Sequence, residues 1–287
     1  PALNQAEATA TKVGGTLSYL SPKEFLERYA AGGAAKTQKG AGKLLALAVL
    51  AGAMIALGCA ATNTAVHGME NVGLARTVSG LLFPFGLCMV IATGAELFTG
   101  NSLLVLSLLE GKCTLPGLLR NWCLVYLGNF LGALLVAAGC VWFSQLNYSA
   151  GGLAVYTIRL AAGKCALPFL SGFGLGIFCN VLVCLGVLLS LSATDAAGRF
   201  MGAFLPVCYF VLCGFEHCVA NMYYIAAGLL AVQNPQYLQL AQEAGVDISA
   251  LTVPNFLLGN LLPVTLGNIL GGAGLGALLW YAHLKKD

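Results

Sequence analysis

Gly94-Ala95-Glu96-Leu97-Phe98-Thr99-Gly100-Asn101 and Gly214-Phe215-Glu216-His217-Cys218-Val219-Ala220-Asn221 share the pattern Gly-x-Glu-x-x-x-x-Asn at an offset of 120 residues. Each copy lies in a long apolar stretch, Thr77 to Leu109 and Phe200 to Val232, whose one charge is the shared Glu. The nine other carboxylates of the chain's 11 fall in termini or loops. An ionisable residue inside such a stretch marks a functional site by default.

The repeat extends beyond the pattern. At the same offset Leu50, Gly52, Cys59 and Cys88 match Leu170, Gly172, Cys179 and Cys208, and Leu127 to Gly132 matches Leu266 to Gly271 at an offset of 139 residues. The difference of 19 is taken up by the polar loop from Gln233 to Val253. Further apolar stretches run from Leu44 to Val66, Asn121 to Leu146, Cys165 to Thr194 and Ile248 to His283, the last continuously apolar from Leu257 to Tyr281. With about 20 residues needed to cross the hydrocarbon, six spans are expected, as two three-span halves over residues 44–146 and 164–283. An odd number of spans per half inverts the second half relative to the first, and places the solute site where the halves meet.

Composition agrees with this reading. The 287 residues are 59% hydrophobic and 9% charged with 37 Gly, against about 25% charged in an ordinary soluble domain. A soluble enzyme is excluded, and a net charge of +3 with scattered basic residues gives nucleic acid no footprint. Residues 1–43 form a charged N-terminal segment in which Ser21-Pro22-Lys23-Glu24 marks a helix start. This amphipathic lead-in, around Pro22 to Tyr29, is placed either to gate the mouth of the path or to lie on the membrane surface. Its long charged region does not suit a signal peptide. Residues 284–287 are a short tail. Of the 14 basic residues, 11 fall on the side of the termini and Arg76, Arg159 and Lys164 on the other, which predicts cytoplasmic termini. The 11 Cys form no C-x-x-C pair, so they read as small apolar fillers, and neither a metal nor a cofactor is expected.

Length locates a break in each half. About 33 residues make roughly 50 Å of helix, too long for a core of about 30 Å and too short for two spans. Each stretch is therefore expected to be a helix, an irregular loop at membrane depth and a half-helix, with the half-helices starting near Asn101 and Val219. Their N-terminal dipole ends favour an anionic solute.

The two quoted segments, with Arg120-Asn121-Trp122, Gly128-Asn129 and Met222, resemble the signatures of the formate/nitrite transporter family over most of the chain, from about Lys36 to Tyr281. The resemblance implies an all-α, aquaporin-like protomer of six transmembrane helices with the second and fifth broken, assembled as a homopentamer in a bacterial or archaeal cytoplasmic membrane. One departure is Ala226, where many members carry Pro, and it bears on the shape of the cytoplasmic half-pore.

The resemblance also assigns roles. His217 would lie at the pore centre, bind the anion and exchange a proton with it, since burial disfavours a charged imidazole until an anion arrives. Thr99 would reach toward it from the other half. Lys164 would gather anions at the external mouth, with Asn180 deeper in the vestibule. Phe83, Leu87, Leu97 and Phe210 would form two apolar constrictions that obstruct hydrated ions. Glu96 and Glu216 read as carboxylates accepting N–H groups of the broken-helix loops, and Asn101 and Asn221 as loop braces. The expected function is a passive or proton-linked path for small anions of weak acids. Formate comes first, on Asn260 to Asn268 and the long fifth-to-sixth loop, with nitrite and hydrosulfide as alternatives. An aquaporin-like pore for neutral solutes would instead be indifferent to voltage and to Lys164→Ala. A membrane redox enzyme would need haem-spaced His pairs, which the three His of the chain do not form.

Overall fold

The computed structural model describes residues 19–286; residues 1–18 and Asp287, and with them the N-terminal Glu7 and Lys12 and the last residue of the tail, lie outside the described residues. Helix α1, Pro22–Gln38, starts at a reciprocal cap: Ser21 Oγ accepts from the Glu24 backbone N–H, the Glu24 carboxylate accepts from the Ser21 N–H, and Pro22 fills the first position, where no N–H is needed. The helix is longer than the expected lead-in. It buries Leu26, Tyr29 and Ala30 in a cluster with Leu103, Leu106 and Leu188.

Ten helices follow: α2 Ala41–Val66, α3 Val72–Thr93, α4 Phe98–Leu109, α5 Leu115–Trp142, α6 Gly152–Cys165, α7 Phe169–Ser192, α8 Ala196–Cys213, α9 Cys218–Ala231, α10 Pro235–Glu243 and α11 Asn255–His283. Six of them, α2, α3, α5, α7, α8 and α11, are long and apolar enough to cross a membrane. The halves pack alike. Gly132 of α5 meets the Val49 backbone of α2, and Gly267 of α11 meets the Phe173 backbone of α7 so closely that a Cβ at either glycine would collide with a carbonyl. Leu127, Leu131, Leu135, Leu266 and Leu270 are left exposed on the same helices, as expected of faces that meet lipid.

Both breaks are built the same way. Helices α3 and α8 end at Gly94 (φ 65°) and Gly214 (φ 71°), in the left-handed conformation that glycine adopts without a Cβ clash. Four residues later α4 and α9 begin, at Phe98 and Cys218. The expected starts at Asn101 and Val219 are thus corrected to positions related by the repeat offset of 120 residues. The first moves by a full three residues because a remote asparagine, described below, holds the Phe98 N–H.

Candidate permeation site

The breaks are held by backbone capture and by one asparagine each. Glu96 N–H donates to the Leu47 carbonyl (3.2 Å), and Glu216 N–H to the Leu175 carbonyl (3.4 Å). Asn129 Oδ1 accepts the Phe98 N–H (2.8 Å), while its Nδ2 donates to the Ala48 and Glu96 carbonyls (2.7 and 2.9 Å). Asn268 does the same in the other half, accepting the Cys218 N–H (2.9 Å) and donating to Gly176 and Glu216 (2.8 and 3.0 Å). Sequence reasoning left both out of the site, although the matching Leu-Gly-Asn segments that contain them were its signal.

The glutamates take other partners than expected. They do not accept loop N–H groups; their oxygens are filled by lysines and asparagines. Glu96, 1% exposed, accepts from Lys36 Nζ (3.0 Å), Lys39 Nζ and Asn101 Nδ2 (2.9 Å). Glu216 accepts from Lys164 Nζ with both oxygens (2.8 and 3.0 Å) and from Asn221 Nδ2 (2.6 Å). A buried carboxylate needs a counter-charge, and a lysine offers a stronger one than an amide N–H. Asn101 and Asn221 donate again from the same Nδ2, to Asn121 and Asn260 (2.9 and 2.8 Å), which tie the site to α5 and to the π-helical opening turn of α11. Lys164 is therefore no free cation at the mouth; it is bound to the break.

At the centre Thr99 Oγ1 lies 3.0 Å from His217 Nε2, joining the two half-turns. The Ala220 backbone N–H donates to His217 Nδ1 (3.0 Å), so the imidazole caps α9. An N–H aimed at Nδ1 requires a lone pair there, so the proton of the neutral ring sits on Nε2 and is donated to Thr99. The Thr99 hydroxyl proton is left to point elsewhere.

Two cavities approach this pair from opposite sides. One, about 390 Å³, opens on the side of the termini and is lined by Arg28, Lys36, Lys39 and Arg199, with Leu87, Leu97, Glu96 and Asn101 deeper in. The other, about 350 Å³, opens on the far side and is lined by Arg76, Arg159 and Lys164, with Glu216, Asn221, Phe83, Phe210 and His217. The two share no residue. Phe83 and Phe210 meet edge to face at 5.5 Å between ring centres, and Phe210 stacks on His217 at 5.7 Å. Phe83 and Leu87 stand one turn apart on α3, so an aromatic pair floors the far cavity and a leucine pair the terminal-side one.

Asn180 stands apart from Lys164. It is fully buried, donates to the Thr99 and Asn268 carbonyls (3.1 and 2.6 Å), and lines neither cavity, so its vestibule placement is corrected to a brace behind the centre. Ala226 is buried within α9, which borders the far cavity, so it bears on the far half of the path and not on the terminal-side half.

The described residues hold no group of three His, Cys, Asp or Glu placed to hold a metal. The "Formate/nitrite transporter" family profile matches residues 23–282. The chain belongs to the formate/nitrite transporter family. It is 40% identical over 234 residues to the formate channel FocA of Haemophilus influenzae, covering 78% of this chain and 81% of that protein. It is 34% identical over 288 residues to a probable formate transporter of Methanothermobacter thermautotrophicus, covering 94% and 99%. Among solved structures, a pentameric formate channel with formate bound superposes with a TM-score of 0.75 at 33% identity, covering 85% of this chain and 98% of that one. This formate/nitrite transporter is thus a multi-pass membrane transport protein with the aquaporin-like inverted repeat, and not an enzyme.

Proposed function

We propose that this chain conducts small monovalent anions of weak acids, formate first, across a bacterial or archaeal cytoplasmic membrane, as a homopentamer with one path per protomer and cytoplasmic termini. The observation that carries this reading is the Thr99–His217 hydrogen bond, set between two separate, cation-lined cavities and flanked by apolar pairs. The formate and pentamer parts rest on the likeness to formate channels, one of them pentameric.

The geometry suggests how a charge passes an apolar floor. Cations at each mouth raise the local anion concentration. Between the Phe and Leu pairs the anion meets the free Thr99 hydroxyl proton and the first-turn N–H groups of α4 and α9 that have no helical acceptor. Charging His217 means placing a proton on Nδ1 at the cost of the Ala220 cap. A bound anion offsets that cost, so charging follows arrival. The imidazolium then passes its Nε2 proton through the Thr99 hydroxyl to the anion, which leaves as the neutral acid. The ring is left neutral with its proton on Nδ1, and release of that proton to solvent with reprotonation of Nε2 restores the Ala220 cap.

Liposome flux with formate, nitrite and hydrosulfide supplied singly tests the reading. Formate is expected to move fastest; equal or absent formate flux overturns the ordering. Native mass measurement of the purified complex is expected to give five copies.

A further inference from the structure

The far cavity is lined by donors that the described residues leave largely unused. Asn63, near the far end of α2, is 3% exposed and lines this cavity, yet its amide nitrogen is buried with no hydrogen-bond partner. A buried amide left unpaired costs free energy, so it points to a partner the protein itself does not supply. Arg76 lines the same cavity, its guanidinium lying over Gly214, and it has no hydrogen bond or ion pair among the described residues. Arg159 makes one 3.4 Å bond to the Ala244 carbonyl. The only carboxylate lining the cavity is Glu216, already bound by Lys164. The other acids on this side, Glu70, Glu243 and Asp247, do not line it.

We propose that the far cavity contains a second anion site, formed by the Asn63 carboxamide with Arg76 and Arg159, which captures a small monocarboxylate before it reaches the Phe83–Phe210 pair. This rests on the reading of the chain as an anion path. Guanidinium groups suit the two oxygens of a carboxylate, and a carboxamide donor adds direction without further charge. Lys164, neutralised by Glu216, leaves the net attraction to the two arginines. None of the three residues touches Thr99 or His217, so the site sets capture and not the central step.

The test is labelled-formate uptake into right-side-out and inside-out membrane vesicles carrying the wild type, Asn63→Leu, or Arg76→Gln with Arg159→Gln. Uptake from the far side is expected to show a half-saturation concentration about tenfold higher in either variant, with the maximal rate within about twofold of wild type. Uptake from the terminal side is unchanged, and the arginine effect grows at low ionic strength. An unchanged far-side half-saturation, or an equal rise from both sides, overturns the site. Asn63→Leu keeps the side-chain volume and breaks no bond, so its melting temperature without formate is expected to match the wild type. If the wild type moved no formate, the permeation reading would fail by itself. The site would then be read from the formate-dependent rise in melting temperature, which supports it if Asn63→Leu abolishes the rise and overturns it if the rise persists or never occurs.

Discussion

Thr99 Oγ1 and His217 Nε2, 118 residues apart in sequence, are 3.0 Å apart and link the first turns of two oppositely directed half-helices. The ring's other nitrogen caps α9, so one side chain serves both the fold and the central step. Asparagine is a good N-cap and cannot titrate. In His217→Asn the protein is expected to fold and assemble, while the pH dependence of formate flux in liposomes is lost. Unchanged flux with unchanged pH dependence would refute proton exchange at this position.

Thr99→Val keeps the shape of the side chain and removes the hydroxyl. His217 Nε2–H then lacks an acceptor and the anion lacks its donor, a loss of about 1–3 kcal/mol. Formate flux is expected to fall by about tenfold or more, with melting temperature shifting by only a few degrees. Thr99→Ser restores the hydroxyl and is expected to recover most of the flux.

The asparagine clamps make a symmetry prediction. Asn129→Leu leaves the Phe98 N–H and the Glu96 carbonyl unpaired and removes a second bond to the Ala48 carbonyl of α2; Asn268→Leu does the same to Cys218, Glu216 and the Gly176 carbonyl of α7. At about 1–3 kcal/mol for each unsatisfied buried group, both variants are expected to be strongly destabilised and to a similar degree. Thermal unfolding in detergent measures this, and a clear difference between the two would show that the halves do not share one construction.

The parts legible in the sequence were those written locally. A glycine at the end of an overlong apolar run marks a helix end wherever the chain folds, and a repeated Glu marks a repeat. The partners were not local. Lys164 lies 52 residues from Glu216 and Lys36 lies 60 from Glu96, so no spacing rule connects them. The start of α4 was placed three residues late because the group that fixes it, Asn129, comes 31 residues after Phe98. The resemblance places Asn180 in the vestibule, whereas its rotation on α7 turns it inward to the Thr99 carbonyl.

Lys164 and Glu216 form the more enclosed ion pair, with side chains 14% and 9% exposed. Removing one partner leaves the other with its charge unpaired at a largely enclosed position, at up to about 3–5 kcal/mol. Lys164→Met and Glu216→Gln are each expected to lower the melting temperature sharply, whereas the double variant regains much of the loss. A double variant no more stable than the worse single one would mean that the pair is not coupled.

Glu96 differs because its cations come from α1 and the residue after it, and are 30% and 34% exposed. In Glu96→Gln, Lys36 keeps its bond to Asn101 Oδ1 (2.9 Å) and Lys39 turns into water at small cost, so the transmembrane core is expected to unfold near the wild-type temperature. What weakens is the C-terminal hold on α1, while its apolar anchors Leu26, Tyr29 and Ala30 and the bonds of Tyr29 to the Gly100 carbonyl and of Ser107 to the Ala30 carbonyl remain. Limited proteolysis is expected to cut near Lys39 and Gly40 several times faster than in the wild type. The converse variant, Lys36→Met with Lys39→Met, leaves the Glu96 carboxylate buried without a cation, and the desolvation penalty then falls on the core itself. It is expected to be the less stable of the two in thermal unfolding, and the opposite order would place the main energetic role of this cluster on α1 instead of on the broken helix.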